Sequence, residues 1–173
     1  GFSGLDQIFK LNNKQIEKKL RENIPNKILL VGEAFRKKIN INKIHKLSKI
    51  DPWFLRQIKE IIDVENEIKK KGLPKNFNSF NFVKSIGFSD KKLSELSNIK
   101  EDVIRKKRSA LKIFPVYKKV DTCAAEFKSF TPYMYSTYQR TFSVNSECEA
   151  DPSNKKKIII LGGGPNRIGQ GIE

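Results

Sequence analysis

The feature that most constrains this chain is the stretch DPWFLRQIKEIIDVENEIKKKGLP, Asp51 to Pro74. An aspartate such as Asp51 caps a helix by accepting from the first free amides, and Pro52 suits the first helical position, where an N–H would be unpaired anyway. Trp53, Leu55, Ile58, Ile61, Ile62 and Ile68 then recur at helical spacing, with Glu65 the one polar break in the stripe. Lys69, Lys70 and Lys71 fall at the negative end of the helix dipole, Gly72 suits a left-handed cap, and Pro74 blocks continuation. A long amphipathic helix of this kind needs other elements to cover its apolar face, so it is expected to be the spine of a mainly helical body. Trp53, the only tryptophan, belongs to the core if it follows the stripe.

The flanking sequence repeats the pattern on a smaller scale. Ile16 and Leu20 share a face in a helix expected near Lys14 to Glu22, ended by Pro25. Lys27 to Lys38 carries Ile28, Leu29, Val31, Ala34 and Phe35, and Asn40 or Asn42 can cap a short helix through Leu47. Beyond the spine, Phe77, Phe80, Val83 and Ile86 mark a helix stopped at Gly87, Ser89 or Asp90 caps another through Leu96, and Lys100 to Leu111 forms the last.

The charge balance invites a nucleic-acid reading and does not support it. The chain of 173 residues has a net charge of +16, and Ser89 to Ala110 imitates a helix-turn-helix with a basic second helix. Yet the 35 basic residues comprise 28 Lys and only 7 Arg, spread over every helix and mixed with 14 Asn. Arg, the side chain of bidentate phosphate and base recognition, is scarce. Because Ile104 and Leu111 must face a core, a packed helix pair with a solvated basic face is the preferred reading of that segment. A basic helical nucleic-acid-binding module is the rival.

Cys123 and Cys148 sit in no metal-binding spacing and are too few for a disulfide framework, and His45, the only histidine, has no acidic or nucleophilic neighbour in sequence. No stretch approaches the length and apolarity of a membrane helix. The start, without an initiator Met, and the end just after a glycine-rich turn read as cuts through a longer protein. Residues after the helices differ in kind. PVYKKVDTCAAEF, Pro115 to Phe127, and TPYMYSTY, Thr131 to Tyr138, are rich in small and aromatic residues. Either this is a core-facing connector, or its backbone lies close against other surfaces while its tyrosines bury with their hydroxyls partnered. Gln139 to Asn154 reads as a polar surface loop. Lys157 to Leu161, KIIIL, then enters Gly162-Gly163-Gly164-Pro165 as a buried parallel strand enters a tight turn. The match to a dinucleotide fingerprint is partial, since Arg167 stands where the third glycine belongs, and no P-loop Lys-Ser/Thr follows.

PVYKKVDTCAAEF, YMYSTY and LGGGPNRIGQGIE (Leu161 to Glu173), in that order, resemble the middle of the large chain of carbamoyl phosphate synthetase. EAFRKKININKIHKLSKIDPWFL (Glu33 to Leu55) and GFSD (Gly87 to Asp90) resemble the same region. The resemblance implies a mainly α fold: a helical oligomerisation domain, followed by the first strand and Gly-rich turn of an α/β pre-ATP-grasp domain. It implies boundaries of 1–11 for the tail of a preceding ATP-grasp half, 12–113 for the oligomerisation domain, 114–154 for an extended connector and surface loop, and 155–173 for the start of the second pre-ATP-grasp domain. The loop over 139–147 is longer than the family's pattern. The family enzyme is an ATP-dependent ligase making carbamoyl phosphate from bicarbonate, glutamine or ammonia and two ATP, for pyrimidine and arginine biosynthesis, with magnesium and often potassium. This fragment alone is expected to hold no cofactor, no metal and no catalytic residue. Its implied partners are the two ATP-grasp halves, a glutaminase domain or subunit and further copies of itself, with no nucleic acid and no membrane, in the cytoplasm. The resemblance places Arg167 and Glu173 by the carbamate passage as tunnel-lining candidates, with a structural ion pair as the alternative.

Overall fold

The computed structural model describes residues 4–124, 126–139 and 148–159. Their elements run α1 (Asn13–Leu20), α2 (Lys27–Arg36), α3 (Ile41–Ser48), α4 (Pro52–Lys71), α5 (Phe77–Ser85), α6 (Asp90–Ser97), α7 (Glu101–Ala110), β1 (Val116–Lys119) and β2 (Met134–Thr137). The expected mainly helical architecture is present, and each expected helix lies within two residues of its sequence-read limits. Local chemistry explains why. Asn12, Asn40, Asp51, Asn76 and Ser89 each accept a backbone amide of the following turn, in α1, α3, α4, α5 and α6. Each such cap contributes about 1 kcal/mol, so part of the asparagine bias serves helix starts. Gly72 and Gly87 end helical segments at φ +81° and +101°, a region that a side chain would disfavour.

The spine α4 passes through two apolar cores. Leu55 and Ile62 join Ile16, Leu20, Leu30, Val31 and Ile44 in the first, built by α1 to α3. Ile68 joins Phe80, Val83, Leu93 and Ile104 in the second, built by α5 to α7. Trp53 departs from the core expectation: it is 55% exposed, stacked edge-on with Phe54 at 5.0 Å, because at helical spacing it lies on the face of α4 opposite Leu55 and Ile62, which enter the first core.

The small and aromatic connector folds into an antiparallel ribbon, with Val116 opposite Thr137, Tyr117 opposite Ser136, Lys118 opposite Tyr135 and Lys119 opposite Met134. A further bond from Val120 N–H to the Tyr133 carbonyl (3.0 Å) extends it. On the outer edge of β1, Glu149 N–H donates to the Tyr117 carbonyl (2.8 Å), and the Glu149 carboxylate accepts from Lys119 N–H and Lys118 Nζ (2.7 and 3.1 Å). Val116 is buried, and the ribbon is fastened to the helical body by Asn81 Nδ2 donating to the Gln139 carbonyl (2.9 Å) and by Tyr138, which packs against the second core. Its other tyrosines do not bury as expected. Tyr117, Tyr133 and Tyr135 are exposed, because a two-stranded ribbon standing off a helical body has only one anchored end. Ile158 and Ile159, expected to enter a buried strand, are exposed and lie outside any sheet, since a parallel strand acquires burial only from neighbouring strands. The remainder of that strand and the glycine-rich turn fall outside the described residues.

Candidate functional site

Two buried polar clusters hold the body together. In the first, Arg36 on α2 reaches Glu65 on α4 with two hydrogen bonds, from Nε to Oε1 (3.0 Å) and from Nη2 to Oε2 (2.7 Å). Nη2 also donates to the Leu5 carbonyl, Gln7 Nε2 donates to Glu33 Oε2 (3.1 Å), and Arg36 Nη1 lies 3.5 Å from Glu33 Oε2 without a hydrogen bond. Burial pushes the Glu65 carboxyl up, but hydrogen bonds and charge from Arg36 and Lys69 outweigh it and hold the group below the usual carboxylate range. The sequence signal was Glu65 itself, an acid inside an apolar stripe. Which cation would meet it was not readable.

In the second cluster, Asp90 at the start of α6 accepts from Lys84 Nζ (2.8 Å) and Arg108 Nε (3.1 Å). Lys84 also donates to the Phe88 carbonyl (2.6 Å), Arg108 to the Ile113 carbonyl (3.0 Å), and the Tyr138 ring lies 5.0 Å from the lysine nitrogen. Desolvation again opposes ionisation of Asp90, and the two cations overcome it. Arg108 is thereby turned inward, and Arg105 pairs with Glu101 and Asp102 at 3.5 and 3.7 Å on its own helix. The α6–α7 pair is thus a packed pair, as preferred from sequence.

Neither cluster resembles catalytic machinery, since its charged groups are used against one another. Among the described residues no group of three or more His, Cys, Asp or Glu is placed to hold a metal ion. His45 Nδ1 lies 2.7 Å from the Ile50 carbonyl, and Cys123 and Cys148 are free thiols. An apolar groove of about 300 Å³ between α4 and α5 is lined by Val64, Ile68, Leu73 and Phe82, with the Glu67–Lys71 pair at its rim. It lacks the convergent polar groups that orient a small ligand. Arg167 and Glu173 lie outside the described residues. What the described surface does present is exposed aromatic side chains: Trp53 and Phe54 on α4, and Phe127, Phe130, Tyr133 and Tyr135 on the ribbon. Composition did signal these rings, but not that they face outward.

The described residues thus form a helical body with self-satisfied charge clusters and projecting rings. A family model described as the carbamoyl-phosphate synthetase large chain, oligomerisation domain, matches residues 1–112. The chain belongs to that family. It is 44% identical to the carbamoyl phosphate synthase large chain of Brucella melitensis biotype 1, over 100% of this chain and 15% of the relative. To the same protein of Buchnera aphidicola subsp. Acyrthosiphon pisum it is 47% identical, over 100% of this chain and 16% of the relative. To that of Neisseria meningitidis serogroup B it is 47% identical, over 92% of this chain and 14% of the relative. The chain therefore spans about one sixth of the length of these curated relatives. Among the described residues no helix is long and apolar enough to cross a membrane.

Proposed function

We propose that the chain is the oligomerisation and connector region of a carbamoyl phosphate synthase large chain. The full polypeptide, in this reading, makes carbamoyl phosphate from bicarbonate, glutamine or ammonia and two ATP, in the cytoplasm, for pyrimidine or arginine biosynthesis. The observation that carries it is a match along the whole chain to large chains, with residues 1–112 corresponding to the oligomerisation domain. Self-association of the helical body and contact with the two ATP-grasp halves and a glutaminase follow from that place. The inward commitment of Arg108 favours this over a nucleic-acid module.

ATP, magnesium and potassium belong to the parent enzyme in this reading. The described residues supply neither a phosphate-binding loop nor a set of metal-binding acids, so no chemical step is assigned to them. The test is direct. The full-length protein should form carbamoyl phosphate from glutamine, bicarbonate and ATP, while the 173-residue chain should neither hydrolyse ATP nor form product; a full-length protein without that activity refutes the reading.

Arg167 and Glu173 are proposed to shape the passage of the unstable carbamate in the full-length enzyme, where exclusion of water protects it. Arg167→Ala or Glu173→Ala should then lower carbamoyl phosphate formed per ATP consumed while bicarbonate-dependent ATP consumption continues. A purely structural pair predicts loss of all partial activities together with a lower melting temperature.

A further inference from the structure

We propose that the aromatic ribbon is an interdomain seat, filled in the full-length polypeptide by a neighbouring domain of the same chain and not by a second copy. The inference rests on the large-chain reading above. Phe130 is 86% exposed, Phe127 74% and Tyr133 70%. The pairing register puts Val116, Val120, Tyr133 and Tyr135 on one face of the ribbon, and Tyr117 on the other with Lys119. Of these only Val116 is buried. A two-stranded ribbon is marginal by itself in water, and one with rings on both faces reaches a stable burial when other surfaces enclose it. The loop nevertheless has a defined shape: Asp121 Oδ1 accepts from Cys123 N–H (2.9 Å), and Ser129 Oγ donates to the Val120 carbonyl (3.1 Å). The rings are therefore presented in a fixed arrangement that suits docking.

Two observations select the occupant. The ribbon begins at Val116, beyond residues 1–112 that match the oligomerisation domain, so its rings are not part of the segment to which that description applies. Relatives align along the whole chain while only 15% of their length is covered, so most of the polypeptide of a relative lies outside this segment yet is tethered to it. Tethering gives a neighbouring domain an effective concentration on the order of millimolar, far above that of a second molecule in dilute solution. The complementary surface is apolar at its centre and acidic at its rim, where it meets exposed Lys119 and Lys128, the latter 5.9 Å from the Phe130 ring.

Hydroxyl-radical footprinting of the full-length protein and of the 173-residue chain, read by mass spectrometry at Phe127, Phe130 and Tyr133, tests this. If these rings pass from open to buried, their oxidation rates should fall about tenfold in the full-length protein, independently of its concentration. Equal rates in the two proteins overturn the inference. Protection that grows with protein concentration also overturns it, by assigning the ribbon to a second copy. Carbamoyl phosphate synthesis by the same preparation reads the parent assignment separately, since an active enzyme with open rings sinks only the seat.

Discussion

Glu65→Ala is the sharpest test of how the two-core body is held together. The Arg36 and Glu65 side chains are 5% and 3% exposed and share two hydrogen bonds. Removing the carboxylate leaves the guanidinium buried with the Leu5 carbonyl and a Glu33 oxygen 3.5 Å away, neither of which replaces a bidentate partner. Stranding one member of a buried pair costs about 3–5 kcal/mol. For a chain of this size each kcal/mol moves the melting temperature by about 2–4 °C, so a fall of about 6–20 °C is expected by calorimetry or circular dichroism. The double variant Arg36→Met with Glu65→Leu removes both charges and refills the volume, and should recover part of that loss, the rest being the cost of the buried Glu33 carboxylate left with Gln7 as its hydrogen-bond donor. The acid limb follows the same logic. The folded-state Glu65 carboxyl lies below its ordinary value of 4.5, so its contribution is present above that value and is lost as pH falls through the depressed folded one. The double variant should show a shallower acid limb. A Glu65→Ala protein within about 1 kcal/mol of the parent, or a double variant as unstable as the single, would refute the reasoning.

Asp90→Asn should behave similarly in the second core, with a loss of about 3–5 kcal/mol, because it leaves Lys84 and Arg108 facing each other without an anion; a urea titration reads it, and an unchanged midpoint would show the cations to be solvated. Trp53→Ala should change stability by no more than about 0.5 kcal/mol in the 173-residue chain, the range of surface substitutions, although a core tryptophan would cost about 3–5 kcal/mol. As the sole tryptophan its emission should be red-shifted and quenched by iodide; a blue-shifted, protected signal contradicts the exposed Trp53 ring.

The helices were legible because their signals are local. Asn or Asp before an apolar stripe, Pro52 at a first position, and Gly72 and Gly87 at ends each act within one turn, so reading them requires no knowledge of the rest of the chain. The ribbon was legible only as something other than a linker. β1 and β2 are separated by 14 residues, without the two-residue Asn-Gly or Asp-Gly turn that announces a hairpin, so their pairing is a non-local choice. Trp53 shows the limit of periodicity. A stripe of apolar residues along α4 is wider than one face, and Trp53 stands opposite Leu55 and Ile62, so which edge of the stripe is covered depends on where the neighbouring helices pack.

The sequence by itself determined the mainly helical class, the starts and stops of seven helices, and the family, because capping and spacing are written in consecutive residues and long motifs occur in order. Tertiary structure alone decided that Arg36 meets Glu65 across 29 positions, that Asp90 gathers Lys84 and Arg108, and that the rings of the ribbon point outward. Those outcomes depend on which surfaces approach one another through space, and in a chain with 35 basic residues and 19 acids the pairing of one charge with another is a matter of distance and burial, not of sequence position.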